Sequence, residues 1–232
     1  DTIQHYFGVE SHTPENWLAF SIGAVSFPVP CQFQAIWNEE FIGAEAIENS
    51  IVPSISIDQD LIDVAKDAFS GAGNLTDATI LKFDLEVTDP NLNSIFFDFV
   101  FGSEEYPNYI DSSFVDTAAI LVNDTNYALF NGDAEQPLSV ISTNVAMGNF
   151  MNNQGQYAPQ VPSKFSDADV DTVEYPIEYN AISEVLSVNA PVNQGTNTIM
   201  IGVSDTGDSI LDTGMFVSGI TGSKGTLPDE TE

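Results

Sequence analysis

Residues 95–101 read IFFDFVF, and this stretch decides the fold class. Its side chains are nearly all aromatic or β-branched, which are the residues that sheets favour. A strand with a single polar position, Asp98, suits the centre of a sheet whose two faces are both covered. The stretch therefore predicts a buried central strand.

Strand patterns continue on both sides of this segment. Residues 80–87 (ILKFDLEV) alternate between large apolar and mostly charged side chains, as a half-buried strand does. Similar features appear at residues 118–122, 138–142, 184–188, 198–203 and 215–220. Turn signals such as Asp-Pro and Asn-Gly lie between these segments. The series predicts an all-β fold, a β-sandwich of jelly-roll-like form.

The rest of the chain is less regular. Residues 58–69 (DQDLIDVAKDAF) carry apolar side chains at helical spacing, and an aspartate can cap the start of this short helix. Residues 144–171 are rich in Asn, Gln, Gly, Pro and Ser, which predicts a long loop. We expect one domain over residues 1–222, with an irregular segment at 1–50 and a polar tail at 223–232.

The charge balance is extreme. Against 35 Asp and Glu residues stand four Lys and no Arg, which gives a formal net charge of −31. Recognition of nucleic acid needs a basic surface, so this function class is excluded, and so is direct contact with anionic membranes. So much like charge destabilises a compact domain unless cations screen it. Bound divalent cations and a saline habitat are the two explanations that the composition leaves open.

Cysteine content and chain ends bear on where the protein works. Cys31 is the single cysteine, so no disulfide can form within the chain, and metal ions are the alternative staple for an exported domain. No run of about 18 apolar residues is present, so we expect no membrane insertion. The sequence begins at Asp1 and ends without a sorting signal. We therefore expect a mature secreted chain or an excised piece.

A first group of carboxylates follows the central strand. Glu104 and Glu105 come directly after the apolar segment, and Asp111 and Asp116 come soon afterwards. Neighbouring residues on a strand point to opposite faces, so one of the two glutamates is directed into the domain. A buried carboxylate needs a counter-charge, and the lysines are too few to provide it. A bound metal ion is the natural partner.

A second group follows another apolar strand, around a turn that contains Gly207. Oxygen atoms on short side chains suit Ca²⁺, which takes about six to eight oxygen ligands. Softer metals are poor candidates, because the sequence has only two His and one Cys. We therefore predict Ca²⁺ as the bound ion. The predicted ligands are Glu104, Glu105, Asp111, Asp116, Asp205, Asp208 and Asp212.

The same residues argue against an enzyme. Glycosidases pair two carboxylates about 5–9.5 Å apart, whereas Glu104 and Glu105 are sequence neighbours on opposite strand faces. No GxSxG, HExxH or Cys-His motif occurs, so we predict no catalytic residues. The alternative function is calcium-dependent carbohydrate binding, in which Tyr106, Tyr109 and Tyr157 would line an exposed face together with the long loop.

Two motifs resemble the signature of the bacterial choice-of-anchor L domain family. Residues 97–116 contain FDFVFGSEEY and SSFVD, which are similar to its first motif, and residues 205–214 (DTGDSILDTG) are similar to its aspartate-rich turn. Val115 and Asn180 depart from the family pattern, which usually has Asn and Asp there. The resemblance covers roughly residues 50–221. It implies a secreted or surface-displayed all-β domain, and it puts the ligands at the carboxylates predicted above, Asp111 excepted.

Together these features predict an extracellular calcium-binding structural or adhesive module of the cell surface or matrix. The expected partners are further copies of the chain, other surface proteins or glycans. Residues 1–30 contain aromatic and β-prone pieces that allow two arrangements. They can pack on their own domain, or they can add a strand to the sheet of a neighbouring copy in a filament.

Overall fold

The structure is a computed structural model that describes the backbone of residues 18–21 and the whole of residues 59–154, 173, 175, 179–208, 211 and 213–224, Asp77 by its backbone alone. Eleven strands and two α-helices lie in this part of the chain. The strands are β1 (Leu18–Ser21), β2 (Leu75–Val87), β3 (Ser94–Ser103), β4 (Thr117–Val122), β5 (Thr125–Asn126), β6 (Phe150–Asn152), β7 (Ala181–Ser183), β8 (Leu186–Pro191), β9 (Gly195–Thr206), β10 (Thr213–Val217) and β11 (Thr221–Ser223). The helices are α1 (Gln59–Ala68) and α2 (Ser142–Ala146), and a short 3-10 turn lies at Phe130–Gly132.

The described strands form two antiparallel sheets. In the first sheet, β10 and β11 pair with one edge of β3, and β8 and β7 pair with the other. β1 continues this sheet beyond β10, and β6 continues it beyond β7. The second sheet has the order β2-β9-β4-β5. Both of its long strands, β2 and β9, pair over nearly their whole length.

The two sheets pack face to face around one apolar core. Alternate residues of β3 and β9 meet in the same buried cluster, because every second side chain of a strand points to the same face. Phe97, Phe99 and Phe101 come from the first sheet. Ile199, Ile201 and Val203 come from the second. The predicted β-sandwich and the buried central strand at 95–101 are therefore confirmed.

Helix α1 covers the outer face of the second sheet, as its apolar spacing predicts. Leu61 and Ala65 are fully buried and pack with Ala119, Leu121 and Met200 in a second apolar cluster. The predicted helix at 58–69 is confirmed to within one residue at each end. None of the helices that the structure describes is long and apolar enough to cross a membrane.

Two predicted strands are wrong in detail. Residues 138–142 make only one isolated bridge, between Ser139 and Thr117, and the chain then enters α2 at Ser142. Residues 184–188 straddle a break between β7 and β8. At this break the hydroxyl of Ser183 accepts a hydrogen bond from the amide of Phe101 and donates one to its neighbour's carbonyl, so it replaces part of the ladder.

The segments predicted to be irregular are partly ordered. Within 144–171, α2 ends at Ala146 and β6 occupies Phe150–Asn152, whereas residues 155–172 lie outside the described part. The predicted tail begins at Ser223, which is the last residue of β11. In the N-terminal segment, β1 pairs with β10 of its own chain, in agreement with packing on its own domain. The exchange of this strand between copies stays a prediction.

Candidate metal centre

The interior of the sandwich changes from apolar to polar at one end. Four strands or strand starts that line the core reach this end with a polar side chain in the next inward position of the alternation. These side chains are Ser103 of β3, Asp116 just before β4, Asp205 of β9 and Thr213 of β10. All four are buried, with at most 4 % of the residue exposed.

Hydrogen bonds connect these residues across the two sheets. The Thr213 hydroxyl lies 2.7 Å from Oδ2 of Asp116, to which it donates, and 3.0 Å from the hydroxyl of Ser103. The backbone amide of Thr206 donates to Oδ1 of Asp116 over 3.2 Å. Ser103 also accepts a hydrogen bond from the amide of Glu105. Asp116 is therefore bonded to a strand of each sheet.

Glu105 is the most unusual carboxylate of the group. Only 2 % of the residue is exposed, and its Oε2 atom is buried without a hydrogen-bond partner. The pKa of Glu105 is raised from 4.5 to about 8, mainly by burial and then by the negative charges of Asp208, Asp205 and Glu104, in that order. The charges that act on this side chain are all of its own sign.

Asp116 is a second buried carboxyl group whose pKa is raised. Burial, followed by the charge of Glu105, raises the pKa of Asp116 well above its usual value. Hydrogen bonds from Thr213, from the Thr206 amide and with Asp205 oppose this effect. Two buried carboxyl groups with raised pKa values, side by side, are typical of a functional site.

The two predicted carboxylate groups meet, although about 90 residues of chain separate them. The charges of Glu104, Asp205 and Asp208 raise the pKa of Glu105. The charge of Glu105 raises the pKa of Asp116, which also shares a hydrogen bond with Asp205. Asp111 does not belong to this cluster's hydrogen bonds or charges. Its exposed carboxylate accepts a hydrogen bond of 2.8 Å from the amide of Ser142 at the start of α2. Asp212 lies outside the described residues.

The lysines of the described chain have other partners. Lys82 lies 3.5 Å from Asp60, and Lys224 lies 3.7 Å from Asp89. Lys66 donates to the carbonyls of Ala72 and Gly73. None of the three contributes to the charges that set the pKa of Glu105 or Asp116. No lysine of the described residues therefore offsets the burial of these two carboxyl groups.

The oxygen atoms of this region suit a hard cation, although they do not form a complete coordination shell. Among the described residues, no group of three or more His, Cys, Asp or Glu side chains forms a ready-made metal site. However, Glu105 Oε2 is a buried carboxyl oxygen without a hydrogen bond, and the negative charges of Asp208, Asp205 and Glu104 act on this residue. Carboxylate and carbonyl oxygens are the ligands of Ca²⁺, and a cation here would remove the repulsion that raises these pKa values.

The turn that carries Asp208 is held in a fixed position. Gly207 has a φ of +87°, and a Cβ atom there would lie 2.7 Å from both the ring of Phe114 and the carbonyl of Ser113. Its amide donates to the carbonyl of Asn74 over 2.9 Å, and the hydroxyl of Thr76 donates to the carbonyl of Asp208. Only glycine combines this backbone conformation with so close an approach.

Sequence reasoning missed three polar members of this region. Ser103 follows the last apolar inward residue of β3 and Thr213 precedes the first one of β10, but by sequence both are ordinary strand residues. Asn180 lies beside Glu104 and is 4 % exposed, whereas its difference from the family pattern had argued against a role. Val115 packs with Ala72 and Ile141 in a separate apolar cluster. The side-chain oxygen that an Asn would provide at this position is therefore not lost from the carboxylate centre.

A comparison of the sequence with protein-family models bears on these features. The model described as "Choice-of-anchor L domain" matches residues 36–221. The chain belongs to this family. Membership in the choice-of-anchor L domain family indicates a secreted cell-surface protein and points to a non-catalytic domain. The resemblance stated from the two motifs is thus confirmed. No curated protein matches the chain.

Among solved structures, the chain is similar to a family 35 carbohydrate binding module from an environmental isolate. The two share 13 % identity, the match covers 67 % of this chain and 76 % of the other, and the TM-score is 0.27. At that score nothing about this choice-of-anchor L domain follows from the likeness. Of the tyrosines predicted to line a sugar-binding face, Tyr106 is fully buried, Tyr109 is 37 % exposed, and Tyr157 lies outside the described residues. Tyr106 therefore cannot contribute to such a face.

Proposed function

We propose that this domain is a calcium-stabilised structural or adhesive module of the cell exterior. A Ca²⁺ ion is held by Glu105, Asp205 and Asp208, with Glu104 and Asp116 beside them, and it joins the loop after β3 to the turn after β9. The observation that carries the proposal is Glu105. Its buried Oε2 has no hydrogen-bond partner, and the neighbouring charges that raise its pKa are all negative.

Calcium suits this centre better than other common cations. Ca²⁺ accepts six to eight oxygens at about 2.3–2.6 Å in flexible geometry, whereas Mg²⁺ demands near-octahedral geometry at about 2.0–2.1 Å and gives up its water reluctantly. Oxygens that come from a loop and a turn on different sheets meet the looser requirement more easily. Zinc prefers nitrogen and sulfur ligands, and the carboxylates of the centre offer neither.

The ion would act as a clamp. A cation that binds the folded chain and not the unfolded one adds RT ln(1 + [Ca²⁺]/Kd) to the free energy of unfolding. At a concentration of about 100 Kd this is about 2.7 kcal/mol. In a chain whose single cysteine excludes an internal disulfide, such a clamp takes over the disulfide's stabilising role.

Calorimetric titration with CaCl₂ and thermal unfolding with and without EDTA test the proposal. We expect saturable binding and a melting temperature several degrees higher with calcium. Glu105→Gln should lose both effects, and Glu135→Gln, the same change at an exposed glutamate, should keep them. If EDTA leaves the melting curve of the unmodified chain unchanged at low salt, the calcium centre is refuted.

The adhesive part of the proposal is supported by family membership and by charge. Two copies that each carry a formal charge of −31 repel one another unless a cation lies between them. Association with further copies or with other acidic surfaces should therefore depend on calcium. Light scattering after gel filtration, in CaCl₂ and in NaCl of equal ionic strength, measures this. Equal mass in both salts would contradict a calcium-dependent assembly.

A further inference from the structure

Asn180 is a buried amide whose oxygen has no partner. Only 4 % of the residue is exposed, and Oδ1 has no hydrogen-bond partner although it is shielded from water. Leaving a buried acceptor unpaired carries the full desolvation penalty of that group, and more than about nine in ten buried polar groups avoid it. An oxygen in this condition requires a physical explanation.

The strand register brings Asn180 to the edge of the carboxylate centre. Gly102 pairs with Ile182 and Ser103 with Ala181, so the next position of the antiparallel ladder sets Asn180 opposite Glu104. The Nδ2 atom donates to the carbonyl oxygen of Glu104 over 3.3 Å. This carbonyl belongs to the peptide group that joins Glu104 to Glu105. The side chain that carries the unpartnered Oδ1 is therefore hydrogen-bonded to the peptide group that leads into Glu105.

An amide oxygen is the donor that such a centre lacks. Calcium sites combine carboxylates with carbonyl and amide oxygens, because six to eight negative ligands around one ion would repel each other. Burial and neighbouring negative charge already raise the pKa values of Glu105 and Asp116. A neutral oxygen increases the coordination number without additional charge.

We propose that Asn180 is a ligand of the calcium ion, through Oδ1, and that calcium thereby fixes the end of β7. This inference rests on the proposed function, whose carboxylates supply the other ligands. It gives a role to a residue that the sequence did not place among the ligands. The amide replaces the carboxylate that the family pattern has here, so it removes one negative charge from the centre and keeps an oxygen.

The contacts of Asn180 extend the effect of the ion to β6. The amide of Asn153, which follows β6, donates to the carbonyl of Asn180 over 2.8 Å. The side chain of Asn153 donates to the carbonyl of Tyr179 over 3.0 Å. An ion bound at Asn180 therefore tightens the pair of strands β6 and β7. Calcium should slow amide hydrogen exchange at Asn153 and within Ala181–Ser183.

The test compares Asn180→Ala, Asn180→Asp and a control, Asn123→Ala. Asp116 and Asn123 flank opposite ends of β4, and at 3.3 Å per residue they are about 20 Å apart. The side chain of Asn123 donates to Oδ1 of Asn197 and accepts a hydrogen bond from the backbone amide of Thr198. Calorimetry measures the Kd for calcium and magnesium, and urea unfolding in EDTA measures the stability of the metal-free chain.

We expect Asn180→Ala to weaken calcium binding at least tenfold and to abolish the calcium-dependent protection of β6 and β7. Asn180→Asp, which keeps an oxygen in the same place, should restore binding and change the preference for calcium over magnesium. Asn123→Ala should lower stability and leave both Kd values unchanged.

The failure of this inference differs from the failure of the proposed function. If the unmodified chain binds calcium and Asn180→Ala binds it with the same Kd, Asn180 is a structural residue and the inference is overturned. Asn180→Asp, which is isosteric, decides the question if the alanine variant does not fold, since a structural role predicts an unchanged ratio of the Kd for magnesium to the Kd for calcium. If the unmodified chain does not bind calcium, the proposed function fails and the inference with it.

Discussion

Replacing Glu105 by Gln should have opposite effects on stability in the presence and absence of calcium. Without metal, the folded state holds the proton of Glu105 up to a pKa of about 8, while the unfolded state releases it near 4.5. Between these two pH values the folded state binds more protons, so its stability falls as the pH rises. Below pH 4.5 the residue has no such effect, and above pH 8 the loss is complete.

The size of this effect follows from the same two values. At about 1.36 kcal/mol per pH unit, the difference between 4.5 and about 8 corresponds to nearly 5 kcal/mol of destabilisation in the metal-free chain at high pH. Glu105→Gln removes the charge and leaves a buried amide, which costs about 1–3 kcal/mol if it finds no partner. Chelated Glu105→Gln should therefore be about 2–4 kcal/mol more stable than the unmodified chain at pH 8.5.

With calcium the order should reverse or the gap should close. The unmodified chain gains about 2.7 kcal/mol at 100 Kd, and Glu105→Gln gains little because it has lost an anionic ligand. Urea unfolding at pH 5 and pH 8.5, in EDTA and in CaCl₂ at constant ionic strength, gives all the required free energies. Urea is preferred because guanidinium salt would screen the charges under study.

The other acids of the chain also titrate in this range, so the decisive quantity is the difference between variants. Glu135→Gln makes the same chemical change at an exposed site and accounts for the lower overall charge. The reasoning is refuted if chelated Glu105→Gln is no more stable than Glu135→Gln at pH 8.5. It is refuted equally if Glu105→Gln retains the full stabilisation by calcium.

Three further predictions concern the surroundings of the centre. Thr213→Val removes the hydroxyl that donates to Asp116 and should lower the free energy of unfolding by about 1–3 kcal/mol in urea, with or without metal. Gly207→Ala should lower the melting temperature and weaken calcium binding. The control is Gly132→Ala, because Gly132 has a similar φ of +65° and nothing lies within 4 Å of the new Cβ. This control should leave calcium binding and packing unchanged and cost about 1 kcal/mol or less of stability. Deleting residues 1–21 removes β1 and exposes β10. A folded monomer that no longer associates, by light scattering, would support strand exchange, and loss of folding would support packing on its own domain.

Much of the fold follows from alternation in the sequence. Each strand with a long period-two pattern, such as 80–87 or 198–203, is found with its predicted apolar face in the core. The failures occur where local pattern and long-range contact disagree. Residues 138–142 have a strand-like sequence, but a helix starts at Ser142. There the backbone amide donates a hydrogen bond to the carboxylate of Asp111, which lies 31 residues earlier. No local pattern contains such a contact.

The centre is partly predictable for a related reason. A carboxylate at the end of a buried strand can be recognised within one short segment of sequence. Glu105 and Asp205 could therefore be identified from their positions alone. Which ends of which strands coincide depends on sheet order, and this order brings β3, β4, β9 and β10 to one end of the sandwich. Ser103 and Thr213 are ordinary strand residues by sequence. Their importance comes from the hydrogen bond between them and from the hydrogen bond that Thr213 donates to Asp116.

Burial separates the two explanations that the composition left open. Acids that only hold water in a saline habitat gain from solvent, so they belong on exposed positions such as Asp84 and Glu86 on the outer side of β2. That explanation provides no reason to bury Glu105, Asp116 and Asp205, because burying a carboxylate costs free energy at any salt concentration unless hydrogen bonds or a counter-charge compensate for it. A saline habitat can account for most of the 35 acids and still leave these three unexplained. The two explanations therefore act on different residues, and only the buried ones call for a bound cation.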